Sequence, residues 1–258
     1  MERVHLERRR FLKTAGVVLA GCACGIGPLR AAEESGWSYE GQTGPEHWGT
    51  LNTGFGACGL GNRQSPINIS GAQSSNLPAL DIDWRSPAGE LVNNGKTIKI
   101  VPRDGGSVTW QGEAYKLLQA HFHAPGEHRV DGKEFPMEAH FVHRNESTGN
   151  LVVLGVFLNG GGEHADFSAL MRALPKAPGE QVSVPEGIDL GTLLPKSRTY
   201  WSYTGSLTSP PCDEIVRWAV FQAPIAVADA DIALFRAAYP MNARPPQPLQ
   251  GRSIFVSE

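Results

Sequence analysis

Five of the chain's eight histidines fall between positions 121 and 143: His121, His123, His128, His140 and His143. Glu127 and Glu138 stand among them. On a strand, His121 and His123 share a face, because side chains alternate with a period of two. Neutral imidazole is a common metal ligand. A third histidine from a neighbouring strand would complete the three-nitrogen set of a catalytic zinc site, which leaves the fourth position to water. Asp131-Gly132 is a strong hairpin signal. With those two residues as the loop, Val130 pairs with Lys133 and His123 falls directly opposite His140. Paired residues have Cβ atoms roughly 4.5–5.5 Å apart, close enough to share a metal. Ala124-Pro125-Gly126 interrupts the first arm of this hairpin. His143 has the opposite parity to His140 and is expected to point away from the metal, as a structural group. His47 and His164 are expected at the surface or in the scaffold.

The elements that must position these groups read as strands. Short β-rich runs lie between turn signals at 96–101, 107–110, 117–123, 138–143, 151–158 and 215–220. The run from Leu151 to Leu158 is apolar on both faces and predicts a fully buried central strand. Helical patterning is sparse. A short helix is predicted over 166–174, with Asp166 as a candidate cap and Pro175 ending it, and a second over 228–239. No internal repeat or linker divides the body, so a mainly β single domain is expected over residues 33–258.

Residues 1–32 read as a twin-arginine export signal, on Arg8-Arg9-Arg10-Phe11-Leu12-Lys13 and the apolar stretch after it. Leu19-Ala20-Gly21-Cys22 also has the form of a lipoprotein box, in which Cys22 would carry a lipid anchor. Both endings remain open, and both place the body in the periplasm. No later stretch has the length and apolarity of a membrane span. Past residue 32 the chain carries 17 Lys and Arg against 24 Asp and Glu, a formal charge of −7. Such a surface does not invite nucleic acid. Cys58 and Cys212 are expected to form a disulfide in an oxidising compartment; two buried thiols are the alternative.

Five separated motifs, in order, resemble the α-class carbonic anhydrases. They are Gly44-Pro45-Glu46-His47-Trp48, Gln64-Ser65-Pro66-Ile67-Asn68-Ile69, the histidine cluster, Ser206-Leu207-Thr208-Ser209-Pro210-Pro211-Cys212, and Asn242-Ala243-Arg244-Pro245-Pro246-Gln247-Pro248-Leu249. The resemblance implies a central, mostly antiparallel, ten-stranded twisted sheet with short peripheral helices. It implies Zn2+ on His121, His123 and His140, oriented from outside by Gln119, Glu138 and the main-chain carbonyl of Asn242. The implied reaction is reversible hydration of CO2 to bicarbonate by zinc-bound hydroxide, with weak esterase activity beside it. Thr208 would orient the hydroxide and pass a hydrogen bond to an ionised Glu127. Val142, Val153, Leu207, Ser209 and Trp218 would line the pocket, and His128 would be structural. Bacterial members of the family also raise the expectation of a homodimer.

One departure stands out. Fast members of the family carry a histidine at the cavity rim that moves protons near pH 7. Lys96 occupies that position here, and Lys99 is the polar residue three further on. Lysine ordinarily titrates at about 10.4 and gives up a proton poorly at pH 7. Turnover is therefore expected to depend on external buffer, with Tyr39 and Asn94 still ordering the water chain. A zinc-free binding module on the same fold is the competing reading. The presence of all three histidines, Thr208 and Glu127 argues against it.

Overall fold

The computed structural model describes residues 36–85 and 89–257. The expected export signal and Cys22 lie outside the described residues. In chain order the strands are β1 (Asn68–Ile69), β2 (Gln73–Ser74), β3 (Asp81–Trp84), β4 (Gly89–Asn93), β5 (Ile98–Pro102), β6 (Gly106–Trp110), β7 (Glu113–His123) and β8 (Arg129–Val130). They continue with β9 (Met137–Arg144), β10 (Leu151–Asn159), β11 (Gln181–Ser183), β12 (Tyr200–Gly205), β13 (Val216–Phe221), β14 (Ile225–Ala226) and β15 (Phe255–Val256). Among the described residues, four short α-helices accompany them: α1 (Trp48–Leu51), α2 (Gly56–Leu60), α3 (Ala165–Arg172) and α4 (Asp229–Ala238).

Thirteen of these strands form one mixed sheet. Its continuous path is β11-β4-β5-β7-β9-β10-β13-β12-β15-β2, which is ten strands, with β3, β6 and β14 attached at the side. Among the described residues, pairing within this sheet is parallel only at β10·β13, β10·β14 and β15·β2, while β1 and β8 form a separate parallel pair. The mainly β, mostly antiparallel expectation therefore holds, and the expected ten strands correspond to the path rather than the whole sheet.

Every strand expected from the sequence is present. β7 runs longer than its apolar signal because Glu113–Lys116 pair with β6 despite their polarity. β10 is buried from Leu151 to Leu158, as an apolar run with turn signals on both sides requires. Its two faces feed two cores. Val152, Leu154, Val156 and Leu158 pack with Phe122, Phe141 and the helix residues Phe167 and Phe235. Leu151, Val153 and Phe157 pack with Val142, Trp218 and Val220. The second core is the one beside the histidines.

α3 starts one residue earlier than predicted and has a different cap. Nδ1 of His164 accepts the Phe167 amide at 3.2 Å, while Asp166 accepts the Thr192 hydroxyl at 2.7 Å. Cys58 and Cys212 are joined, with Cα atoms 5.0 Å apart and a sequence separation of 154. Closing so long a loop stabilises the folded chain by about 5 kcal/mol in the chain-entropy account. The bond ties α2 to the segment that carries Thr208. Among the described residues, no helix is long and apolar enough to cross a membrane.

Candidate metal centre and cavity

β7 and β9 bring the three histidines together, but in a different register from the simple hairpin. His121 lies opposite His140, and His123 opposite Glu138. The predicted turn does exist, as the Val130·Lys133 bridge. The two-residue offset arises between that bridge and the Gly126 amide, which donates to the Phe135 carbonyl at 2.9 Å. There the amides of Glu127 and His128 leave the ladder and donate instead to Oε2 of Glu138, each at 2.8 Å. A shift of two residues keeps face parity. All three histidines therefore still share one face, and His143 faces the other core. There Nε2 of His143 accepts the Trp84 indole N–H at 2.9 Å.

Each of the three imidazoles is fixed from outside. Nδ1 of His121 donates to Oε1 of Gln119 at 2.8 Å. Nδ1 of His123 donates to the Asn242 carbonyl at 2.7 Å. Nε2 of His140 donates to Oε1 of Glu138 at 2.9 Å. The remaining ring nitrogens converge, with candidate ligand atoms all within 4.8 Å of one another. Nε2 of His123 is buried with no hydrogen-bond partner. An orphaned buried nitrogen is unfavourable unless something binds it. Burial lowers all three pKa values, that of His123 to about 4, so the rings are neutral and their inner lone pairs are free. This donor set fits Zn2+, for which three protein nitrogens and an open position are a known catalytic arrangement.

Glu138 organises the floor of the site. Burial alone would raise its pKa, but His128, His140 and their hydrogen bonds hold it well below the usual carboxylate range. His128 bridges it to Tyr203, with ring contacts of 2.7 Å and 2.6 Å, and the Tyr203 hydroxyl continues to Ser65 at 3.0 Å. Gly155, opposite His140 on β10, leaves room for this carboxylate: a Cβ there would sit 3.1 Å from Oε1 of Glu138.

Glu127 is also fully buried. Its Oε1 accepts the Arg244 amide at 2.8 Å, and its Oε2 lies 3.5 Å from Nε2 of His123 and 3.8 Å from Nδ1 of His140. Burial pushes its carboxyl up to about 7, against the lowering influence of His140, the Arg244 amide and the Thr208 hydroxyl.

A cavity of about 220 Å3 opens onto the histidines. All the remaining expected pocket residues line it: Tyr39, Asn94, Lys96, Val142, Val153, Leu207, Thr208, Ser209 and Trp218. Trp218 is almost fully buried and donates its indole N–H to the Ser206 carbonyl at 3.2 Å, so its ring can face an apolar space without an unpaired donor. Burial, then the nearby Glu127, keep the Tyr39 phenol well above its ordinary pKa and thus protonated. A separate open groove of about 610 Å3 lies on the far side of Tyr39 and Glu127.

The sequence alone does not single out Arg244, Tyr203 or Trp37. Arg244 acts through its main chain on Glu127, while its side chain crosses to Gln64, Ser65 and Cys58. The signal available for it is its place in the Asn242–Leu249 motif. Tyr203 and Trp37 carry no local pattern that separates them from core aromatics.

A twisted β-sheet carrying three inward, neutral imidazoles beside a largely apolar pocket has the form of a catalytic metal centre. The chain matches the family model described as eukaryotic-type carbonic anhydrase over residues 43–258. A carbonic anhydrase from Nostoc sp. is 39% identical to it, across 96% of this chain and 97% of the relative. The solved α-carbonic anhydrase of Thermovibrio ammonificans, in complex with the inhibitor sulfanilamide, aligns with a TM-score of 0.83 at 42% identity, covering 87% of this chain and 99% of that one. Dioscorin complexed with ascorbate shares the fold at a TM-score of 0.79 and 28% identity, covering 85% and 97%. The chain belongs to the eukaryotic-type, α-class carbonic anhydrase family, and its activity is that of the family, reversible CO2 hydration.

Proposed function

We propose that the protein hydrates CO2 with Zn2+ held by His121, His123 and His140. The observation that carries this is the orphaned Nε2 of His123, aimed at the point where the other two inner ring nitrogens converge. When bound there, zinc supplies Lewis acidity that brings a water's pKa to about 7, the value established for carbonic anhydrases.

The chain's own residues supply the rest. Gln119, Glu138 and the Asn242 carbonyl fix the tautomers and aim the rings. Thr208 accepts a hydrogen bond from the nucleophile and passes its own proton toward Glu127, which must then be an acceptor. A dication among the imidazoles favours the ionised form of Glu127, offsetting the effect of burial. Val142, Val153, Leu207 and Trp218 offer CO2 an apolar wall, and Ser209 sits at its polar edge. Tyr39 and Asn94 order water towards the rim, where Lys96 replaces an efficient proton carrier. Weak esterase activity follows from the same nucleophile.

The Cys58–Cys212 bond supports an oxidising compartment, in keeping with export to the periplasm by the twin-arginine route, with or without a lipid anchor at Cys22. A homodimer is the proposed assembly, on the resemblance alone. Stopped-flow CO2 hydration on zinc-loaded and chelator-stripped protein tests the reading. Activity is expected to track zinc content at one metal per chain. A zinc-loaded protein without hydratase activity would refute it.

A further inference from the structure

We infer that the buried side chain of Arg244 is a positioning group for the Thr208–Glu127 pair, fixing how the nucleophile is oriented without itself facing the zinc cavity. The inference rests on the zinc reading and deepens it.

Thr208 lies in a segment that the sheet does not hold. β12 ends at Gly205 and β13 begins at Val216, and the residues between them carry no strand or helix. Within that stretch the Cys212 amide donates to the Ser209 carbonyl at 3.0 Å, and the Leu207 amide to the Asp213 carbonyl at 3.1 Å. These bonds shape the loop but do not tie it to the sheet. A hydroxyl that must accept one hydrogen bond and give another tolerates little displacement. Its placement has to come from outside the loop.

Arg244 reaches both ends of the loop and the carboxylate beyond it. Its side chain is almost fully buried. Nη1 donates to Oε1 of Gln64 and to the Ser65 carbonyl, each at 2.8 Å, and Nη2 donates to the Cys58 carbonyl at 2.9 Å. Just before Thr208, Ser65 and Ser206 clasp each other: the Ser65 amide donates to Oγ of Ser206 at 2.9 Å, and the Ser206 amide to Oγ of Ser65 at 3.0 Å. Just after it, Nε2 of Gln64 donates to the Cys212 carbonyl at 3.1 Å, and Cys58 is bonded to Cys212 itself. The Arg244 amide meanwhile holds Oε1 of Glu127 at 2.8 Å. One residue thus sets the Thr208 segment and its acceptor in a common frame.

The fork, and not the charge alone, does this. Three acceptors are met by two terminal nitrogens of one plane, a pattern that an ammonium cannot copy. The Trp48 ring backs that plane, with its centroid 5.5 Å from the guanidinium carbon.

The test is a double-mutant cycle on the whole chain, zinc-loaded and with the disulfide intact. It compares wild type, Arg244→Gln, Arg244→Lys, Thr208→Ala and Arg244→Gln/Thr208→Ala in zinc affinity, thermal melting and kcat/KM for CO2 hydration. Arg244→Gln should lose about tenfold in kcat/KM, less than Thr208→Ala, with zinc affinity unchanged. Arg244→Lys keeps the charge without the fork and should lose nearly as much. In the Thr208→Ala background, Arg244→Gln should cost less than about twofold, because residues that act as a unit are not additive. A multiplicative loss in the double variant, a loss that follows zinc affinity, or wild-type kcat/KM in Arg244→Lys would overturn this inference and leave the zinc reading standing. Gln64→Ala repeats the cycle if the Arg244 variants do not fold, since it removes one link to the loop and keeps the guanidinium. It should lose about threefold alone and nothing further beside Thr208→Ala, and a multiplicative loss there would again overturn the inference. A wild type without zinc or without hydratase activity would overturn the zinc reading and this inference with it.

Discussion

The histidines on the floor of the cavity and Lys96 on its rim face the same space, yet they are held in different ways. His121, His123 and His140 stand on long central strands, each with an outer ring nitrogen committed to a partner at 2.7–2.9 Å. Lys96 stands on a turn closed by the Asn94 side chain, and its ammonium meets one aromatic face. A floor residue cannot change without stranding its hydrogen-bond partners, whereas a rim residue can change with little consequence for folding. On the proposed reading, chemistry that must be fixed is on the floor, and chemistry that sets rate is on the rim.

The largest effect expected from this contrast is at Glu138. Glu138→Ala removes the acceptor for two buried amides, for His128 and for His140. Breaking such a buried charged network costs on the order of 3–5 kcal/mol. Zinc affinity should fall about 10–100-fold with it. Denaturant unfolding and zinc competition would check both. A variant that kept wild-type stability would show that the floor is less interdependent than its hydrogen bonds indicate.

His143 separates scaffold from ligand on the same strand. Burial lowers its pKa to about 3, with the Val152 and Phe141 backbone acting in the other direction. A free histidine titrates near 6.5, so between about 3 and 6.5 the unfolded chain binds more protons at this site. Stability is therefore fully present above that window and is lost as pH falls through it. In His143→Gln, measured in chelator so that zinc release does not enter, the slope there should drop by up to about 1.4 kcal/mol per pH unit, the value of one proton. An unchanged slope would remove His143 from the acid-sensitive scaffold.

Thr208 lies between floor and rim. Thr208→Ala should lower kcat/KM roughly a hundredfold, as loss of one oriented hydrogen-bond partner does, and leave zinc affinity intact. Parallel loss of zinc would mean that Thr208 supports the ligands rather than the nucleophile.

How far the sequence reveals the site follows the same division. The period-two spacing of His121 and His123, and of Glu138 and His140, is enough by itself to put ligands and an orienting carboxylate on common faces. The register is not legible in the same way, because the Asp131-Gly132 turn closes a small excursion and not the main ladder. Glu127 and His128 turn their amides to a side chain that no local pattern predicts. The Asn242 carbonyl and the Arg244 amide act as main-chain atoms brought from more than a hundred residues away, which side-chain types cannot disclose. Strand runs are legible where burial is two-sided, as in β10, and illegible where pairing alone makes the strand, as in Glu113–Lys116. The cap of α3 differs from expectation because Asp166, a favoured cap type, bonds Thr192 instead.

The smallest expected effect is at Lys96. An imidazole takes and gives a proton near pH 7, whereas an ammonium releases one poorly, so the proposed function has the rim hand protons to buffer. Lys96→His should raise turnover severalfold in dilute buffer and hardly at all in concentrated buffer, where external base already carries the proton. If Lys96→His left the buffer dependence of turnover unchanged, proton export would run by another route, and the division between a fixed floor and an adjustable rim would fail where it should be easiest to see.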